Sequence, residues 1–159
     1  MTPAIRFLEK NGVWHQVHPY RVDAVDSTYG EAVAAALGVG PDRLFKTLIA
    51  RLKDGEMVVA LVPVNRSLDL RLLASAAGAK SAEMAPARDA ERATGYVTGG
   101  ISPFGQRRTM RAFADSTITA FETVFVSAGR RGLQVEVRPE ALLPLLRATR
   151  INLSSAGLS

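Results

Sequence analysis

Apolar residues recur at helical spacing in five stretches of the chain, and proline or glycine marks the ends of most of them. Proline in the first turn and glycine just past the last turn are typical of helix ends. The first stretch follows Thr2 and Pro3, an N-cap residue and a first-turn proline. The pattern therefore predicts helices over 4–11, 29–40, 67–78, 85–95 and 139–149.

Between these helices, apolar and β-branched runs predict strands. The segment Lys53–Gly55 joins two of them into a hairpin, because an Asp-Gly pair tolerates the positive φ of a tight turn. The turn Arg130–Gly132 joins a second pair. The predicted strands are 13–20, 44–52, 56–64, 80–84, 123–129 and 133–138.

The order of these elements lacks the regular strand–helix–strand rhythm of a doubly wound fold. It predicts an α+β domain built on a mixed, mostly antiparallel sheet. A length of 159 residues fits a single domain over 1–159, and a hydrophobic fraction of 47% can supply its core. The polar end of the chain, 151–159, is predicted to be a frayed tail.

Charge and composition narrow the classes of function. The net charge of +5 favours a polyanionic partner, and nucleic acid is the first candidate. No apolar run approaches the roughly 20 residues that cross a bilayer, and the start of the chain lacks the apolar block of a signal peptide. We therefore expect a cytoplasmic protein with no membrane partner. The absence of cysteine excludes disulfides, thiolate metal ligands and a cysteine nucleophile of the protein's own.

Two familiar kinds of site find little support in the residues. His15 and His18 are three apart in a predicted strand, where alternate side chains point to opposite faces, so they cannot share a metal ion. The glycine-rich stretch 95–105, GYVTGGISPFG, lacks the G-x-G-x-x-G spacing and is not followed by G-K-S/T. These spacings argue against dinucleotide and nucleoside triphosphate binding. We expect no metal and no cofactor.

The same glycine-rich stretch has the properties of a ligand-binding loop. Gly99 and Gly100 permit a positive φ or a close approach, and Pro103 fixes the turn after them. Such a loop can aim N–H groups at a carbonyl oxygen or a phosphate, although a tight connecting turn fits the residues equally well.

Lys46 lies inside the apolar run LFKTLIARL. An ammonium group there either faces water from one side of the strand or occupies a site where burial lowers its pKa. Both interpretations remain open from the residues alone.

Two short arginine clusters follow glycine-containing turns. Arg107, Arg108 and Arg111 come directly after the glycine-rich stretch, and Arg130 and Arg131 lie in the second hairpin turn. Arginine is a frequent source of phosphate contacts in nucleic-acid complexes, but it is also common on solvated surfaces. The position of one cluster beside the glycine-rich stretch favours a phosphate-bearing ligand.

Six motifs follow one another from nearly the beginning of the chain to its second hairpin. They are MTPAIRFLEKNGV, Tyr20, RLFKTLIA, VPVNRSLDLRLLASAAGAKSAEMAP, RATGYVTGGISPFGQRR and VFVSAGRRGL. Their order and spacing resemble the YbaK/EbsC family of cysteinyl-tRNA(Pro) deacylases, within the superfamily of prolyl-tRNA synthetase-associated editing domains. The resemblance implies a pseudo-barrel of mixed strands flanked by helices, without a metal or nucleotide cofactor.

The resemblance also implies an activity and partners. Prolyl-tRNA synthetase charges tRNA(Pro) with cysteine by mistake, because a pocket cannot strongly reject a side chain of similar or smaller size. A separate editing protein then clears the Cys-tRNA(Pro) in trans. The implied partners are the aminoacylated end of tRNA and prolyl-tRNA synthetase, in a ternary complex. Two alternatives remain open, an Ala-tRNA(Pro) deacylase of the same superfamily and a non-catalytic module that binds tRNA or the synthetase.

Roles for individual residues follow from the same resemblance. The implied catalytic residues are Lys46, Tyr20, Gly99, Gly100 and Ser102. The implied contacts to the aminoacyl group and terminal nucleotide are Thr47, Ile101, Pro103, Phe104, Ser127, Gly129 and Arg130. The implied tRNA contacts are Arg107, Arg108 and Arg131. Gln134 is a departure, since some relatives carry an acidic residue there, although Glu136 follows on the same strand face.

The mechanism that the resemblance implies is substrate-assisted. The cysteine thiol of the misacylated tRNA attacks its own ester carbonyl and gives a thiolactone and free tRNA. Lys46 would supply positive potential near the thiolate, the ester oxygen or the terminal phosphate. Backbone N–H groups from Gly99 to Ser102 would stabilise the oxyanion.

Overall fold

A computed structural model describes residues 1–23 and 28–156, and its helices lie where the apolar spacing predicts them. Thr2 caps the first helix by accepting a hydrogen bond from the Ile5 N–H at 3.2 Å. The helices are α1 (Pro3–Lys10), α2 (Tyr29–Leu37), α3 (Leu70–Ala77), α4 (Ala87–Thr94) and α5 (Pro139–Leu146). Within the described ranges, no helix has the length and apolar character needed to cross a membrane.

The described strands form three sheets. The strands are β1 (His15–Pro19), β2 (Phe45–Leu52), β3 (Met57–Pro63), β4 (Arg66–Leu68), β5 (Ala82–Met84), β6 (Ala112–Asp115), β7 (Val124–Arg130), β8 (Leu133–Val137), β9 (Thr149–Ile151) and β10 (Ser154–Ala156). The strand orders are β1-β8-β7, β5-β2-β3-β6-β9 and β10-β4. Both predicted hairpins, β2–β3 and β7–β8, are confirmed.

The predicted α+β class with mixed, mostly antiparallel strands is confirmed. The only parallel pairs within the described sheets are those that β6 forms with β3 on one side and with β9 on the other. An isolated parallel bridge between Leu44 and Phe125 connects the five-stranded sheet to the three-stranded one. The described strands do not close into a single hydrogen-bonded ring, so the barrel is an arrangement of separate sheets.

The predicted frayed tail is wrong for residues 151–156. Ile151 ends β9, which extends the large sheet beside β6, and β10 pairs with β4. Leu153, between these two strands, is fully buried among the residues under α3. The burial of Leu153 holds residues 151–156 in place, although the polar composition of this segment predicted no packing. Residues 157–159 lie outside the described ranges.

Asp115 holds this C-terminal segment in place from the end of β6. Its side chain is fully buried, and its Oδ1 accepts a hydrogen bond from the Leu153 N–H at 2.8 Å. Its Oδ2 accepts a hydrogen bond from the Thr117 hydroxyl at 2.7 Å. Burial alone would raise the pKa of Asp115, but the hydrogen bonds from Thr117, Leu153 and Ser154 lower it below its ordinary value. The ionised carboxylate is therefore the stable form in the folded protein.

The two faces of the three-stranded sheet pack against different helices. Val124 and Val126 point into a core shared with α1 and α5. Phe125 points to the other face, where it packs with Val33 of α2 and with Val64. Because side chains alternate along a strand, Ser127 points to this second face as well. The space between α2 and the second hairpin is where the candidate site lies.

Candidate active site

A cavity of about 340 Å³ is lined by residues of both β2 and β7. The isolated bridge connects Leu44, the residue before β2, to Phe125 of β7, and no pairing between β2 and β7 is present in the described part of the chain. The cavity is lined by residues 44–49, by Thr98, Gly99 and Ile101, by Ser127 and Gln134, by Tyr29, Gly30, Val33 and Val64, and by Met84, Ala85, Ala87 and Ala90. Lys46 and the glycine-rich stretch therefore share one cavity.

Lys46 is half-buried in β2 and lines the cavity. Burial lowers the pKa of Lys46 below its ordinary value, and the negative charge of Glu31 on α2 opposes that shift. No ion pair within the described ranges involves Lys46. Of the two interpretations from the sequence, the structure favours a partly desolvated lysine in a site over a lysine on a wet strand face.

The outer edge of β2 also faces this cavity. Leu44 accepts a hydrogen bond from Val64 at 2.9 Å, so even-numbered residues of β2 exchange backbone bonds with β3. Odd-numbered residues point their backbone groups away from β3, as Ile49 does when its carbonyl accepts from the Ala85 N–H at 3.0 Å. By the same alternation, the N–H and C=O of Thr47 point to the open edge.

The glycine-rich stretch packs directly on the turn of the second hairpin. Gly99 has φ 92°, and a Cβ there would collide with the Arg131 guanidinium. A Cβ on Gly100 would lie 2.7 Å from Arg130 Cα and 2.9 Å from its carbonyl carbon. Gly100 is therefore required for the close approach to the Arg130 backbone, and Gly99 is favoured by its positive φ. This approach places Arg131 beside the cavity lining.

Several predicted site residues support the loop and do not line the cavity. The Gly100 N–H donates to Val97 O at 2.8 Å, so this amide is already used. Ser102 is fully buried, and its hydroxyl accepts a hydrogen bond from the Phe104 N–H at 3.2 Å. Phe104 lies in the core, and Pro103 lines a second cavity. The catalytic roles predicted for Gly100 and Ser102 gain no support from this placement.

Tyr20 reaches the site through a second tyrosine. Its hydroxyl lies 2.7 Å from that of Tyr29, which lines the cavity, and burial raises the pKa of Tyr29. The Arg131 guanidinium lies 5.0 Å from the centre of the Tyr29 ring. Tyr29, which the sequence analysis did not identify, thus connects the predicted Tyr20 and Arg131. The one sequence signal for Tyr29 was its position at the first residue of the predicted helix 29–40.

Ser127 and Gln134 face each other across β7 and β8 and both line the cavity. The Ser127 hydroxyl accepts a hydrogen bond from the Gly129 N–H at 3.2 Å. Gln134 is only 6% exposed, and its Oε1 has no hydrogen-bond partner among the described residues. Gly129 itself packs against Thr2 and Tyr96, away from the lining.

Glu136 forms hydrogen bonds and ion pairs with residues outside the cavity and does not line it. Its Oε1 lies 2.9 Å from His18 Nε2, and its Oε2 accepts from the Thr123 hydroxyl at 2.6 Å and lies 3.4 Å from Arg43. Burial would raise the pKa of Glu136, but these hydrogen bonds and the charges of His18 and Arg43 lower it. Glu136 therefore does not replace the carboxylate that Gln134 lacks.

The arginines predicted to contact the tRNA, and Arg130, predicted to contact the aminoacyl group or the terminal nucleotide, lie at the surface. Arg107, Arg108, Arg130 and Arg131 are all exposed, and none forms an ion pair in the part of the chain that the structure describes. Arg107 lies beside Gly95, and Arg108 borders the second cavity. Arg131 is nearest to the lining, so the arginines form a basic rim and not one cluster.

We expect Gly100→Ala to destabilise the protein by about 2 kcal/mol, because the new methyl group would overlap the backbone of Arg130. Urea unfolding measures the change. Gly12→Ala is a matched control, since a Cβ at Gly12 would meet no atom within 4 Å and adds only the cost of its positive φ. Equal losses for the two variants would contradict the close packing of loop and hairpin.

Comparisons with known sequences place these features in a family. The model of the aminoacyl-tRNA editing domain matches residues 25–145. An Enterococcus faecalis protein named "Putative Cys-tRNA(Pro)/Cys-tRNA(Cys) deacylase EbsC" is 38% identical over 144 residues, which cover 91% of this chain and 87% of that protein. A proline–tRNA ligase of Nitratidesulfovibrio vulgaris is 41% identical over 88 residues, which cover 55% of this chain and 15% of the ligase.

A solved structure has the same fold. The protein in "Crystal structure of a putative trans-editing enzyme for prolyl tRNA synthetase" superposes with a TM-score of 0.84 at 23% identity. The match covers 98% of this chain and 99% of that chain. It confirms the architecture over nearly the whole of both proteins.

Proposed function

The chain belongs to the aminoacyl-tRNA editing domain family, and we propose that it is a deacylase that removes cysteine from mischarged tRNA(Pro). The relative that is 38% identical bears a name with this activity and matches along most of its length. A segment of a proline–tRNA ligase also resembles this chain, which supports tRNA(Pro) as the tRNA whose mischarged form is the substrate.

The observation that carries the proposal is the convergence of Lys46 with Gly99 and Ile101 on one cavity of about 340 Å³. A partly desolvated amine and a glycine-rich backbone are what an ester with a developing negative charge requires. The apolar part of the lining, from Val33, Phe45 and Ile49, suits a small aminoacyl group.

The reaction needs no nucleophile from the protein. The substrate's thiol sulfur forms a bond to the ester carbonyl carbon, and the bond from that carbon to the ribose oxygen breaks. The thiol proton ends on the departing ribose oxygen, so the products are a thiolactone and tRNA with a free terminal hydroxyl. The cavity holds the two reacting groups of one substrate together, which removes the entropic cost of their encounter.

Lys46 and the loop amides each stabilise a negative charge that forms during the reaction. The Lys46 ammonium lowers the energy of the thiolate or of the oxyanion that forms from the carbonyl. The N–H groups of Gly99 and Ile101, whose residues line the cavity, are the candidate oxyanion donors, since the Gly100 amide is bonded to Val97. Each such donor contributes about 3 kcal/mol in other enzymes.

The basic rim binds the tRNA. Arg107, Arg130 and Arg131 are exposed near the loop, where they attract phosphates without reading sequence. Selection of tRNA(Pro) then rests with prolyl-tRNA synthetase in a ternary complex in the cytoplasm, where the mischarged product forms. Binding of tRNA should weaken steeply as salt rises.

Substrate assistance predicts a strong dependence on the thiol. We expect Cys-tRNA(Pro) to be deacylated at least about 100-fold faster than Ser-tRNA(Pro) and Ala-tRNA(Pro), because neither side chain supplies a comparable nucleophile within the cavity. Single-turnover assays with labelled aminoacyl groups give the three rates.

The same assays separate the alternatives. Faster loss of alanine than of cysteine would identify an Ala-tRNA(Pro) deacylase. Binding of all three tRNAs without hydrolysis would identify a non-catalytic module. Detection of a thiolactone product by mass spectrometry in the cysteine reaction alone is the positive control for the proposed chemistry.

A further inference from the structure

Two buried oxygen atoms in the cavity lining have no hydrogen-bond partner. They are Oε1 of Gln134 and Oγ1 of Thr47, and neither finds a partner among the described residues. A third atom of this kind, Asn65 Oδ1, belongs to a residue outside the lining. Buried polar groups are nearly always paired, so two such atoms in one cavity mark a position where a bound molecule can form hydrogen bonds.

The polar side chains beside Gln134 on β7 and β8 already have hydrogen-bond partners. Ser127, across from Gln134, accepts a hydrogen bond from Gly129, and Glu136 is held by His18 and Thr123. Ser127 would have to leave the Gly129 N–H to reach the Gln134 oxygen, and the Glu136 carboxylate, whose pKa is lowered, has no hydrogen to donate to it. The Gln134 oxygen is therefore available to a bound molecule.

A group that pairs with the Gln134 oxygen must be a hydrogen-bond donor, because an amide oxygen only accepts, and the Thr47 hydroxyl oxygen can accept from the same group. In an aminoacyl ester, the carbonyl and ester oxygens are acceptors. The thiol is a weak donor, and it donates nothing once ionised for attack. Within the aminoacyl part of the substrate, the free α-amino group, with two or three N–H bonds, is the donor that can serve two acceptors.

We propose that Gln134 and Thr47 bind the free α-amino group of the aminoacyl ester, and so make the site selective against substrates that lack this amine or carry it blocked. This inference rests on the proposed function and deepens it. The substrate class becomes aminoacyl-tRNA with an unmodified α-amine, as distinct from formylated or peptidyl-tRNA. Gln134 and Thr47 act as specificity residues and take no part in bond breaking.

The test uses two adenosine analogues whose ester is replaced by an amide that the enzyme cannot cleave. One carries a cysteinyl group on the 3′-amino position, and the other carries a 3-mercaptopropanoyl group, which lacks only the α-amine. Calorimetry on the full chain should show about tenfold weaker binding of the second analogue. In Gln134→Met, which keeps the size and removes the acceptor, the two analogues should bind within about twofold of each other.

Thr47→Val should also reduce the preference for the analogue with the amine, by a smaller factor than Gln134→Met does. Asn65→Ala is the matched control, because it removes an unpaired buried oxygen outside the lining and should leave the preference unchanged. Equal affinity of wild-type protein for both analogues would overturn the proposal. So would an undiminished preference for the amine in both Gln134→Met and Thr47→Val, each shown to be folded by its thermal transition. Since binding is read without turnover, a wild-type protein that prefers the amine but deacylates nothing would refute the proposed function alone.

Discussion

Replacement of Lys46 by alanine is expected to lower the rate of Cys-tRNA(Pro) deacylation by about 100-fold or more, which is the scale of losing one electrostatic contact to a developing charge. The variant should fold normally. An ammonium that is half-buried without an ion pair opposes folding, so its removal leaves stability unchanged or higher. Single-turnover deacylation and thermal unfolding together separate a catalytic loss from a folding defect.

The pH dependence gives Lys46 a distinctive signature. Its pKa is lowered by burial, so it loses its proton at a lower pH than an ordinary lysine does. The rate should rise with pH as the substrate thiol ionises and then fall as Lys46 becomes neutral. Lys46→Arg, which stays charged, should keep the rise and lose the fall. Lys53→Ala, an exposed lysine in the hairpin turn, is the control. Unchanged deacylation in Lys46→Ala would remove this residue from the mechanism.

Replacement of Asp115 by alanine is expected to have the largest effect on stability, a loss of about 3 kcal/mol. The carboxylate is fully buried, and its removal leaves the Leu153 N–H and the Thr117 hydroxyl without their acceptor. Urea unfolding at neutral pH measures the loss. Asp69→Ala removes the N-cap of α3, a half-exposed acceptor for Arg71 and Leu72, and should cost only about 1 kcal/mol.

Acid should reduce the difference between Asp115→Ala and the wild type. The pKa of Asp115 is depressed in the folded protein, so its contribution is fully present above its unfolded value of about 3.9. That contribution is lost as the pH falls through the lower pKa of the folded state. A difference in unfolding free energy that stays constant to pH 2 would contradict the role of the ionised form.

Local signals were enough to predict most of the fold. Helix caps such as Thr2, Gly38 and Gly78, and the Asp-Gly turn of the first hairpin, act within a few residues and are visible in the sequence. The strands β4, β6, β9 and β10 span three or four residues each, too short for a periodic pattern. They exist because distant partners pair with them, which no local window reveals.

The candidate site divides in the same way. Lys46, Thr47, Gly99, Ile101 and Ser127 were identified from motifs, and the structure places all of them in the cavity lining. The roles of Gly100 and Ser102 depend on hydrogen bonds that these residues already form within the loop. Such bonds depend on the folded geometry and cannot be predicted from the sequence.

The segment shared with the editing family, residues 25–145, is smaller than the unit that completes the sheets. β1, β9 and β10 lie outside it, and they cover the flanks of β8, β6 and β4. A fragment cut at those limits would expose the edges of β8, β6 and β4. The unpaired backbone N–H and C=O groups of such edges can pair with strands of other molecules. Intermolecular β-aggregation is therefore the hazard in transplanting this module between proteins.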